Sequence, residues 1–145
     1  MEFGSALKDP ALFRQQAYVN GEWQAAASGE TFEVRDPSTG DLVGTVPLMG
    51  TAETRHAIEA ANAAWPAWRK KTAKERAVVL RKWHDLMMEH ADDLALILTT
   101  EQGKSLAEAK GEIGYAASFL EWFAEEGKRV YGDTIPTPAD RKSVV

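Results

Sequence analysis

Apolar and polar residues follow two different rhythms along this chain. Over the first fifty residues the apolar positions are short and paired. Residues 17–24 hold Asn20-Gly21 between apolar neighbours, a pair that favours a two-residue type I′ turn because both positions tolerate positive φ. Residues 32–35 alternate apolar and polar, turn through Asp36-Pro37-Ser38-Thr39-Gly40, and resume as an apolar run over 42–46. Four short strands in two hairpins are expected, too little sheet to stand without a layer packed on it.

From Thr51 the period lengthens to that of a helix. Ala57, Ile58, Ala61, Ala64, Trp65 and Trp68 recur at helical spacing, with Pro66 expected to kink or end the helix near Trp65. Thr72 and Glu75 form a capping box for a second helix, whose inner face is assigned to Ala77, Leu80, Trp83, Leu86 and Met87. Paired aspartates after His90 mark a break, and Leu94, Ile97 and Leu98 begin a new stripe that Gly103 ends. A second capping box, Ser105 with Glu108, then opens a long helix expected to run to Gly132. On that helix Leu106, Ala109, Ile113, Ala116, Leu120 and Phe123 form one apolar stripe, and Tyr115, Phe119 and Trp122 form a second ridge roughly opposite. Lys110, Glu121, Glu125 and Lys128 leave only a narrow polar arc. A helix with two apolar faces needs two layers to cover it. Beyond Gly132, Pro136 and Pro138 keep the chain extended.

Composition narrows the class. With 145 residues, 44% hydrophobic and 27% charged, the chain suits one globular domain with a substantial core, to which Trp65, Trp68 and Trp83 are assigned. The net charge of -5 argues against a nucleic-acid partner, and Arg69-Lys70-Lys71 reads as a solvated helix end. No run is long and apolar enough for a membrane span or a signal peptide, so no membrane partner and a cytoplasmic location are expected. The absence of cysteine excludes disulfides, thiolate metal sites and a cysteine nucleophile. Residues 1–5 read as a cloning remnant, and the apolar run at the C-terminus stops without a cap.

Nothing in the sequence makes a self-contained catalytic centre. His56, His84 and His90 are not spaced to share a helix face, and Glu53-x-x-His56 is half of a di-iron motif without its second copy. Glu121 with Glu125 and Asp92 with Asp93 read as charged surface, the aspartates also stabilising a helix terminus. Gly40, Gly44 and Gly50 are spaced as turn residues rather than as a phosphate loop.

The order of NGEW, DPSTGDLVGTVP, AWPAWR, TAKERAVVLRKWHDLMMEHADDLA, LTTEQGKSLAEAKGEI and FLEWFAEEGKRVYGDTIP resembles the N-terminal part of aldehyde dehydrogenases. Among these it is most similar to the NAD(P)-dependent succinate-semialdehyde dehydrogenases. Ser105 stands where that family commonly has proline, and either residue starts a helix. The resemblance implies an α/β, aldehyde dehydrogenase-like parent of which this chain supplies a mainly helical portion with short N-terminal β-hairpins. Residues 6–136 would be the N-terminal part of the cofactor-binding domain, and 137–145 the start of an oligomerisation strand. It further implies oxidation of succinate semialdehyde through a cysteine thiohemiacetal with NAD or NADP in the parent, a homo-oligomer. The catalytic and cofactor-binding residues would lie beyond this chain, which alone should be inactive and hold no cofactor. Two sites carry over by alignment: a monovalent cation on backbone oxygens of Val34, Arg35 and Glu101, and a substrate-tunnel wall at Tyr115, Phe119 and Trp122.

Three functional expectations follow. The first is a portion of this dehydrogenase, partnered by the remainder of the enzyme. The second is a helical protein-interaction module that uses the aromatic ridge, and the third is self-association through the ridge or the strand at residues 143–145.

Overall fold

Short-range chemistry decides where each element begins and ends in the computed structural model, which describes residues 3–136 and 142–144. β1 (Ala17–Val19) and β2 (Glu22–Gln24) form an antiparallel hairpin, and between them Asn20 and Gly21 take φ of 52° and 86°, as the type I′ turn requires. β3 (Thr31–Arg35) pairs with β4 (Leu42–Pro47), and a bulge slips their register between Val34 and Arg35. Asp36 closes the linking turn by accepting from the Ser38 amide at 2.7 Å and its hydroxyl at 2.6 Å.

Four helices follow: α1 (Thr51–Arg69), α2 (Ala73–Glu89), α3 (Ala91–Gln102) and α4 (Leu106–Glu126). Both capping boxes form. Glu75 accepts from the Thr72 amide at 2.7 Å while its own amide donates to the Thr72 hydroxyl, and Ser105 and Glu108 repeat the exchange at α4. His90 separates α2 from α3, and Gly103, at φ 84°, ends α3. β5 (Thr134–Pro136) pairs antiparallel with β6 (Lys142–Val144). Residues 137–141 and Val145, assigned from sequence to the oligomerisation strand, lie outside the described residues, as do Met1 and Glu2. Phe3, Gly4 and Ser5, set aside as a remnant, belong to a 3-10 turn in which Phe3 meets Phe13 edge to face at 5.1 Å.

Two boundaries differ from expectation. α1 runs through Pro66 to Arg69. The carbonyl of Asn62, which loses its amide donor to that proline, lies on an exposed turn where water can replace the bond. α4 stops at Gly127 instead of Gly132, because the amides of Lys128 and Arg129 turn back onto Glu125 and Glu126 at 3.1 and 2.9 Å.

α4 packs against both α2 and α3. The seam is made of small residues: Ala77, Ala95, Ala109, Ala117 and Ala124 are buried, joined elsewhere by Leu7, Ala26 and Val43. The expected tryptophan-filled core is therefore absent among the described residues. Trp65 is 53% and Trp83 57% exposed, and Trp68 is half-buried. On α2, Ala77, Leu80 and Met87 turn inward, with Arg81 and His84 between them, while Trp83 and Leu86 turn out. On α4 Ala109, Ile113 and Leu120 face inward as expected, but Ala117 and Ala124 replace Leu106, Ala116 and Phe123, which are exposed. A close helix–helix seam selects for side-chain size, and a wheel weighted by hydrophobicity rotates away from it.

The polar arc of α4 latches this seam. Glu121 and Glu125 meet Arg81 of α2 at 2.7 and 3.6 Å, Lys110 meets Asp92 of α3 at 2.8 Å, and Glu112 pairs with Lys104. The chain exposes 10790 Å², against about 7,400 Å² for a compact monomer of its mass.

Candidate functional site

Two places gather the residues singled out by sequence. The first lies where β3 and β4 meet the end of α3. Val34, Gly44, Thr45 and Val46 from the hairpin and Glu101 from the last turn of α3 line one small cavity, walled by Phe13, Arg14 and Gln15. Val34 and Glu101 are thus brought together, beside the bulge. Arg35 is not on that lining: its guanidinium donates to Glu33 at 2.6 and 2.9 Å and to the Gly40 carbonyl at 2.9 Å. Burial pushes the Glu101 carboxyl above its ordinary range. Among the described residues no three His, Cys, Asp or Glu side chains converge to hold a metal, so a cation here would depend on backbone oxygens.

The second place is the outer face of α4. Tyr115 is 67% and Trp122 62% exposed, and Tyr115 meets Phe119 edge to face with ring centres 4.9 Å apart. These three line a groove of about 640 Å³ with Ser118, Phe123 and Arg129. The sequence-predicted ridge is therefore one continuous surface, and Phe123, assigned to the core stripe, belongs to it. Spacing offered a signal for this, since Phe123 stands one turn from Phe119.

The remaining candidates resolve into structural roles. Glu53 closes the start of α1: with its own amide first, then Ala27 at 3.2 Å and Gly50 at 3.0 Å, backbone donors hold its carboxyl below the usual range. His56, one turn on, lines a shallow pocket with Glu53, Val19, Gln24 and Met49. Asp93 is only 5% exposed and accepts from two backbone amides far back in the chain, those of Lys8 and Asp9, which lower its pKa. Sequence reasoning placed it at a helix terminus, which is correct, but the partners some eighty residues away left no local signal. No described helix is long and apolar enough to cross a membrane.

Known proteins share this arrangement. The profile of the aldehyde dehydrogenase family matches residues 23–145. A glutarate-semialdehyde dehydrogenase of Pseudomonas putida is 69% identical over 90% of the chain, and the NADP(+) succinate-semialdehyde dehydrogenase GabD of Escherichia coli 65% over 96%. The crystal structure of a succinate-semialdehyde dehydrogenase from Burkholderia pseudomallei superposes with a TM-score of 0.89 at 72% identity, covering 92% of the chain and 28% of that protein. The chain spans 27% of the length of the Pseudomonas relative and 29% of the Escherichia relative. With a family profile matched over most of its length and the fold in agreement, the chain belongs to the aldehyde dehydrogenase family.

Proposed function

We propose that this chain is the N-terminal part of an NAD(P)-dependent dehydrogenase that oxidises a short semialdehyde, an aldehyde whose other end is a carboxylate. The observation that carries this is the 65–69% identity to succinate- and glutarate-semialdehyde dehydrogenases over at least 90% of the chain. Under this proposal residues 6–136 open the cofactor-binding domain and 137–145 begin an oligomerisation strand. The enzyme would be a cytoplasmic homo-oligomer. The roughly 3,400 Å² by which the chain exceeds a compact monomer's surface is of the size that obligate interfaces cover, which supports a role within a larger body.

Bound NAD+ or NADP+ supplies the hydride acceptor in such a reaction. The chain's own residues contribute a wall: Tyr115, Phe119 and Trp122 would guide the aldehyde and exclude water. The nucleophile of the proposal is a cysteine thiolate, and the 145-residue sequence contains none. The purified chain should therefore reduce neither cofactor with succinate or glutarate semialdehyde. A chimera in which it replaces the matching 29% of the Escherichia relative should reduce NADP+. Activity of the isolated chain, or a chimera that assembles correctly yet oxidises neither aldehyde, would count against the proposal.

A lesser part of the same proposal places a monovalent cation on backbone oxygens of Val34, Arg35 and Glu101. The cavity shared by Val34 and Glu101, and the bulge beside it, support this. Melting in potassium chloride should exceed melting in tetramethylammonium chloride at equal ionic strength, and equal values retire the site.

A further inference from the structure

The segment before β1 is a strap with two anchors. It carries 3-10 turns at Phe3–Ala6 and Pro10–Leu12, and Leu7 between them is buried. At its first anchor the two carboxylate oxygens of Asp93, in the opening turn of α3, accept from consecutive amides: Lys8 at 3.0 Å and Asp9 at 2.8 Å. This is a fork on adjacent backbone donors, made by a carboxylate almost wholly out of water. At the second anchor the Thr45 amide of β4 donates to Gln15 Oε1 at 2.8 Å. The approach is close enough to need glycine next to it. A Cβ on Gly44 would lie 2.7 Å from Gln15 Oε1 and 2.9 Å from Phe13 Cζ. Between the anchors run Phe13 and Arg14, which with Gln15 wall the cavity beside Val34 and Glu101.

We propose that residues 3–16 act as a clasp locked by Asp93, and that the lock holds Phe13 and Gln15 against β4 so that the cavity beside Glu101 stays closed. Asp93 is then a positioning residue. It touches nothing in the cavity and acts through the strap. The fork sets where the strap leaves α3, and the seven residues from Asp9 to Gln15 are too short and too turned to absorb its loss without shifting Phe13. By linkage the coupling runs both ways, so loosening either anchor loosens the other.

Residue-resolved amide exchange on the full 145-residue chain tests this. Asp93→Asn keeps the shape but replaces one acceptor oxygen with a donor, and should speed exchange of Lys8 and Asp9 by about tenfold or more. Coupling predicts that the Thr45 amide, bonded to a different residue, accelerates with them. Gln15→Ala, an exposed substitution, should in turn accelerate Lys8 and Asp9 although it touches neither. Asp92→Asn is the control. Its ion pairs with Lys8 and Lys110 are exposed, and all three amides should stay within about twofold of the parent. Thr45 unchanged in Asp93→Asn would show two independent anchors and overturn the proposal. Should Asp93→Asn unfold the chain, Gln15→Ala decides: faster exchange at Lys8 and Asp9 supports the clasp, and unchanged exchange overturns it.

Discussion

α1 and α4 are nearly equal in length, 19 and 21 residues, and both read from sequence as amphipathic helices, yet they end in opposite situations. α1 has the more clearly one-sided pattern and buries no residue. α4 has apolar residues on two sides, and buries Ala109, Ala117 and Ala124 against α2 and α3 while Tyr115, Phe119 and Trp122 remain outside. Amphipathicity names a face that wants a cover; it does not supply the cover. What distinguishes α4 is a row of small residues that lets two helices approach, and charges at Lys110, Glu121 and Glu125 positioned to latch onto them. α1 is tied to the rest through Glu53 and the Ala27 amide at its first turn.

The sharpest way to break this contrast is a matched pair of substitutions. Ala117→Leu inserts three heavy atoms into the α4 seam and should destabilise the chain by about 1–3 kcal/mol in urea unfolding, through overpacking. Ala61→Leu adds the same atoms to exposed α1 and should change stability by no more than about 0.5 kcal/mol. Equal costs would mean that α1 has a partner within the chain after all.

A smaller effect separates how the two helices start. Ser105 caps α4 with its hydroxyl, whereas Gly50 caps α1 without a side chain and leaves the task to Glu53. Ser105→Ala should cost about 1 kcal/mol by the same unfolding measurement, since the Glu108 amide loses its acceptor. Gly50→Ser, in an extended conformation open to serine, should be neutral or stabilising by a few tenths of a kcal/mol. A loss at Gly50→Ser would show that the start of α1 is held by close packing rather than by hydrogen bonding.

These pairs also mark what a sequence can and cannot disclose. The Asn20-Gly21 turn, both capping boxes and the helix break at His90 were legible because each is decided within four residues. The alanine seam was not, because hydrophobicity ranks Phe123 above Ala124 and Trp83 above Ala77, while the distance between helices ranks them the other way. The ridge of Tyr115, Phe119 and Trp122 was legible as a face, since helical spacing alone aligns it. Asp93 was legible only in half: its place at the start of α3 is local, whereas its grip on Lys8 and Asp9 depends on where the strap returns.

Asp92 and Glu101, at the two ends of α3, give the smallest expected effect, and the two should differ in sign. Hydrogen bonds from Lys110 and then Lys8 pull the Asp92 carboxyl from its ordinary 3.8 down to about 2. A folded pKa below the unfolded one contributes stability that is complete above the unfolded value and is lost as pH falls towards about 2. Asp92→Asn should therefore lower the Tm at neutral pH, with the difference closing in strong acid. Burial raises the Glu101 carboxyl above 4.5, so its relative stabilisation is complete below that value and is lost as pH rises through the folded pKa. Glu101→Gln should accordingly raise the Tm at neutral pH and leave it unchanged in acid. Both side chains keep access to solvent, which screens each contribution and keeps the Tm changes small, and salt tells their causes apart. About 0.5 M sodium chloride screens the exposed Lys8 and Lys110 pairs and should shrink the Asp92 effect, while the Glu101 effect, which arises from burial, should persist. A Glu101→Gln variant that melts lower than the parent at neutral pH would show that its charged carboxylate has a partner in the cavity.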